Sequence, residues 1–168
     1  TKILYFHCGT HKTGTTAIQQ YLNNNSALLE KNNLTYPNIG YSKHYPYNNH
    51  GIAWQISGDP RLKFEKSNDS LDDFYKFLEN SEKDLVISSE DFQFFNIKKD
   101  AYEEFCTQVN KYNYKIKVIL YLRNQFDFFR GIYQILLMLG VRFVNCNQAL
   151  EIIKKSGNKL ELKENKLT

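Results

Sequence analysis

The chain has 168 residues, 42% of them hydrophobic, including 12 Tyr and 12 Phe, with a formal net charge of +4. That is about one domain's length and enough apolar material for a packed core, which excludes a disordered chain. The lysines are scattered rather than gathered into an aromatic-studded stripe, which argues against nucleic acid as a partner.

The longest apolar stretch, ILLMLGV at 135–141, is cut by Arg142, so no membrane span is expected. Cys8, Cys106 and Cys146 lie far apart with no C-x-x-C pair. Neither a zinc site nor a disulfide framework is expected, and a reducing, cytoplasmic setting is the simplest one.

In chain order, KILYFHC (2–8) reads as a buried strand that stops at Gly9. Ile18, Tyr21 and Leu22 then follow helical spacing, with Leu28 and Leu29 extending the helix. The segment 34–51, rich in Pro, Asn and Gly, reads as a long loop. Ser70 with Asp73 marks a helix start, and Leu71, Phe74, Tyr75 and Leu78 form its apolar face. DLVIS (84–88) is a second buried strand, running into Ser89, Glu90 and Asp91. Ala101, Phe105 and Val109, four apart, predict the next helix. KIKVILYLR (115–123) is a third strand, followed by helices from near Asp127 and over 147–155.

Strands alternating with helices imply an α/β fold, a parallel sheet flanked by helices. In such sheets ligands collect at the carboxyl ends of the strands. Three segments should therefore converge: Gly9 to Thr16, Ser88 to Glu90, and Arg123. The first of these, GTHKTGTT, has the spacing of a phosphate-cradling loop, Gly9 and Gly14 framing Thr10, His11, Lys12 and Thr13, with Thr15 and Thr16 opening a helix. A nucleoside triphosphatase would carry lysine directly after the second glycine and an acidic residue for magnesium. Here Thr15 takes that place and Lys12 lies inside the loop, suited to a shorter anionic group.

The loop with its internal lysine resembles the 5′-phosphosulfate loop of sulfotransferases that use 3′-phosphoadenosine 5′-phosphosulfate (PAPS). The resemblance implies a P-loop nucleotide-binding-like, three-layer α/β/α fold over 1–168, a single domain expected to be incomplete at its C-terminal end. It implies PAPS as co-substrate, no metal, and an acceptor hydroxyl or amine on a glycan or small metabolite. Lys12 would contact the oxygen bridging phosphate and sulfate, with Gly9 to Thr16 binding the donor.

RNQFDFFRGIY (123–133) is similar to the family's 3′-phosphate element, which implies a phosphate contact for Arg123. Gly131 stands where the family has serine and leaves only its backbone N–H for that contact. VISSEDF (86–92) resembles the segment that faces the acceptor, which makes Glu90 a candidate proton acceptor. His50 is the second candidate, ahead of His11 and His44. A P-loop kinase or nucleoside triphosphatase, and a non-catalytic nucleotide-binding remnant, are the alternatives.

Overall fold

The computed structural model describes residues 1–10, 13–41, 46–63, 69–96 and 98–138. The elements are β1 (Lys2–Gly9), α1 (Thr15–Asn24), α2 (Ser26–Lys31), β2 (Leu34–Thr35), α3 (His50–Ser57), α4 (Leu71–Asn80), β3 (Asp84–Ser88), α5 (Lys99–Lys111), β4 (Tyr114–Tyr121) and α6 (Gln125–Met138). Short 3-10 helices cover Pro60–Lys63 and Glu90–Asn96. The chain divides into two compact units, Thr1–Leu122 and Arg123–Thr168. The first holds the sheet and helices α1 to α5. Of the second, α6 is described. The helix expected over 147–155 lies outside the described residues.

The four strands are parallel, in the order β2-β3-β1-β4. This bears out the α/β class with flanking helices. β1 is central and buried along most of its length, which is why it reads as a nearly unbroken apolar run. Its register sets His7 opposite Ser88 of β3, and Gly9 opposite Tyr121 of β4. The carboxyl ends of three strands therefore finish level, at one edge of the sheet.

Leu4, Phe6 and Cys8, alternating along β1, point into a core closed by α3, α4 and α5. There Phe105 stacks on Phe74 with ring centroids 6.0 Å apart. Ser70 starts α4 with a capping box: its hydroxyl accepts from the Asp73 N–H at 3.1 Å, and the Asp73 carboxylate accepts from the Ser70 N–H at 2.9 Å.

Several boundaries differ from the sequence expectation. The helix expected to run through Leu29 breaks at Asn25, whose side-chain amide donates to the Tyr21 carbonyl at 2.8 Å. Asparagine competes for helix carbonyls in this way and ends the helix. Within the segment read as loop, Leu34 and Thr35 pair with Asp84 and Leu85 as β2.

β4 runs 114–121 and, among the described residues, is an edge strand of the sheet, although its apolar centre reads like an interior one. Val118 is 62% exposed and Leu120 48%. Lys115 and Lys117, also exposed, place charge on this edge. α6 starts at Gln125, two residues before the expected Asp127. The reason is Asn124, whose side chain accepts from the Asp127 N–H at 2.9 Å and so caps the helix.

The core makes a first prediction. Phe105 is 2% exposed, so Phe105→Ala should cost about 3–5 kcal/mol in urea unfolding, whereas Tyr21→Ala, at a position 55% exposed, should cost under about 0.5 kcal/mol. Similar losses at the two sites would contradict this packing.

Candidate functional site

The loop after β1 is shaped by two glycines. A Cβ on Gly9 would lie 2.8 Å from Thr13 Oγ1 and 2.9 Å from the Tyr121 carbonyl oxygen, so no side chain fits. The close approach is fastened by the Thr10 N–H, which donates to the Tyr121 carbonyl at 3.2 Å. The Thr13 hydroxyl donates to the Thr10 carbonyl at 2.7 Å. Gly14 has φ 85°, a left-handed conformation that disfavours side chains, and it is the N-cap of α1.

Gly14 has no side chain with which to cap α1, and the helix's first turn holds no acidic residue. The first N–H groups of a helix have no partner within it, and they carry the positive end of its dipole. Behind a glycine turn, such groups suit an anion. Of the loop residues named from sequence, His11 and Lys12 lie outside the described residues, as does His44.

At the adjacent strand end stands Glu90, only 8% exposed. The Thr15 hydroxyl donates to its Oε1, and Gln19 Nε2, one turn further along α1, donates to Oε2 at 3.2 Å. His50 Nε2 lies 3.6 Å from the same Oε2. Burial pushes the Glu90 carboxyl up. The Thr15 hydrogen bond, His50 and Gln19 outweigh it, and the net is a carboxyl below its ordinary value. The two residues that the sequence offered as rival proton acceptors are thus neighbours.

What brings His50 there is Asn49, which is fully buried. Its N–H donates to the Ser88 carbonyl at 2.9 Å, and its Oδ1 accepts from the Ser88 N–H at 2.8 Å. Its side-chain amide donates to the carbonyls of Ile39 at 2.7 Å and Pro37 at 3.1 Å. One asparagine thereby ties the long loop to the end of β3, and α3 starts at the next residue.

His50 Nδ1 is 2.6 Å from Ser89 Oγ, which also accepts from the Asp91 N–H at 3.1 Å. Asp91 Oδ2 accepts from Trp54 Nε1 at 2.7 Å, and Asp91 Oδ1 pairs with Arg61 at 3.1 Å. The Arg61 guanidinium covers the Trp54 ring at 5.1 Å. His7, also buried, places Nδ1 2.6 Å from Ser88 Oγ. Burial lowers the His7 pKa, and Glu90 offsets part of this.

Asn49, Gln19 and Trp54 were not singled out from sequence, whereas Ser89 and Asp91 entered only as neighbours of Glu90 in the run SSED. Gln19 could have been suspected only from its position four residues after Thr15 on the same helix face.

Arg123 and Gly131 belong to the second unit. Arg123 precedes the capping residue of α6. Gly131 is buried in the second turn of α6. At that position a helix uses the backbone N–H for the carbonyl four residues back.

Among the described residues no helix is long and apolar enough to cross a membrane. No family model, curated protein or solved structure matches the chain.

The lowered Glu90 carboxyl implies a pH dependence. A carboxyl depressed in the folded state stabilises above its unfolded pKa, about 4.3, and that contribution is lost as pH falls through the folded value. Glu90→Gln should therefore be less stable than wild type at pH 7, with the gap closing as pH falls below the unfolded value of about 4.3 and through the lower folded one. A gap independent of pH in thermal melts would show that the carboxylate charge contributes nothing.

Proposed function

We propose that the chain is a sulfotransferase-type enzyme that binds PAPS at the Gly9–Thr16 loop and transfers its sulfuryl group to an acceptor hydroxyl or amine. The observation that carries this reading is the start of α1 behind left-handed Gly14, free of acidic residues in its first turn and set beside a buried carboxylate–histidine pair. The resemblance of GTHKTGTT to the phosphosulfate loop narrows a general anion site to that donor. It gives Lys12 the oxygen bridging phosphate and sulfate, and it gives Arg123 a contact to the 3′-phosphate. Gly131, without a hydroxyl and with its N–H used in the helix, adds nothing to that contact.

In the reaction the acceptor oxygen attacks sulfur in line and the sulfur–oxygen bond to the 5′-phosphate breaks. The electron pair stays on the departing phosphate oxygen, where Lys12 and the α1 N–H groups stabilise it. The acceptor's proton goes to the Glu90–His50 pair. Glu90 accepts hydrogen bonds from Thr15 and Gln19 and is held ionised, which makes it a weak base by itself. Its better use is to orient His50 and to stabilise the imidazolium that forms, and His50 takes the proton.

The nucleoside triphosphatase alternative is disfavoured by Thr15. It stands where that class has its lysine, yet it is buried and turned to Glu90. The non-catalytic alternative draws on Gly131, which removes a 3′-phosphate contact.

Calorimetry with adenosine 3′,5′-bisphosphate should give the same heat with and without a chelator, and Lys12→Ala should weaken binding roughly tenfold or more, the loss of one charge-assisted contact. With labelled PAPS and an acceptor panel, His50→Asn should lower turnover by roughly 10²–10⁴-fold while bisphosphate binding persists. Magnesium-dependent ATP binding would move the chain to the triphosphatase class. Bisphosphate binding with no transfer to any acceptor would make it a remnant.

A further inference from the structure

Thr15 has two claims on one hydroxyl. The donor reading counts Thr15 within the Gly9–Thr16 loop, and it is the first residue of a ten-residue helix. Yet its hydroxyl donates to Glu90, and the residue is 2% exposed. A hydroxyl has a single proton to give. It cannot serve the carboxylate and an anion at the helix start together.

We propose that Thr15 is a positioning residue that changes partner when the anionic donor binds, leaving Glu90 with one donor fewer and so readying His50 to take the acceptor's proton. This rests on the donor-binding reading above. The geometry links the two sites through one carboxylate. Thr15 reaches Oε1, while Gln19 at 3.2 Å and His50 at 3.6 Å share Oε2. When Thr15 turns away, the Glu90 charge is less satisfied and stabilises an imidazolium on His50 more strongly. The donor's own negative charge acts in the same direction.

Because linkage is reciprocal, a proton on His50 also favours donor binding. The pair becomes a stronger proton acceptor only with the donor in place. That would limit proton uptake from water in the free protein.

Among the described residues, the other groups facing His50 do not make this link. Ser89 and Asp91 face Nδ1, and the Trp54 ring lies 5.5 Å away. Arg61 neutralises Asp91 from behind. His7 and Tyr36 lie within electrostatic reach of Glu90. None of these is on α1. Gln19 is on α1 but lies a turn inside the helix.

The test is the pH titration of the His50 ring by proton NMR on the full chain, with the resonance assigned by its loss in His50→Asn. In the free protein, Thr15→Val should titrate about half a pH unit or more above wild type, because Glu90 has already lost its donor. Thr15→Ser, which keeps the hydroxyl, should match wild type. Saturating adenosine 3′,5′-bisphosphate should move the wild-type midpoint up by more than it moves that of Thr15→Val. If Thr15→Val fails to fold, Thr15→Ala removes the same hydroxyl.

Equal midpoints in the free wild type and the hydroxyl-less variant would overturn the proposal. So would equal displacement of both by the bisphosphate. Bisphosphate that binds by calorimetry yet leaves His50 unmoved sinks the switch alone. Bisphosphate that does not bind at all sinks the donor reading with it.

Discussion

A carboxylate that is nearly sealed from water organises this site. Burying an isolated carboxylate is far more costly than any single contact can offset, so its lone pairs must be met by donors. Glu90 meets that requirement with Thr15 and Gln19 from α1, and with His50 beside it from α3. These residues come from segments separated by more than 30 positions in the chain. The glycine loop, the helix it opens and the start of α3 are thereby drawn to one strand end. Removing the acid would leave a buried hydroxyl and a buried amide without an acceptor, so the constraint runs in both directions.

The sheet makes this convergence possible. Parallel strands in register finish at one edge, and whatever follows each strand is delivered there. β1 delivers the loop and β3 delivers Ser89, Glu90 and Asp91. Asn49 supplies what topology cannot. Four hydrogen bonds hold the long loop against Ser88, Ile39 and Pro37 and fix where α3 starts. Trp54, Asp91 and Arg61 then pack behind the His50 ring, so the histidine that opens α3 acquires a set orientation. The chemistry proposed for the chain needs that order: an anion site and a proton acceptor at one edge of the sheet.

Much of this was legible in the sequence because it is local. Apolar runs that end on Gly9 and Ser88 announce strand ends, and Ser70 with Asp73 announces a helix start. Gly9 and Gly14 mark a turn that side chains would obstruct. The misread parts have particular causes. Asn25 breaks a helix through a side-chain bond that apolar periodicity does not register. β2 is two residues long, too short for alternation to show. The centre of β4 is as apolar as an interior strand yet lies at the sheet edge. The link between Glu90 and His50 joins residues 40 apart and depends on Asn49, so no spacing in the sequence reveals it.

The central claim is that the start of α1 holds the anionic end of a nucleotide donor without metal. Amide chemical-shift mapping by NMR with adenosine 3′,5′-bisphosphate, in the presence of a chelator, addresses it most directly. The account predicts that the largest changes fall on the amides from Gly9 to Ala17 and saturate with the ligand. Changes centred on the exposed surface of α4 and α5, or changes that appear only once magnesium is added, would contradict it.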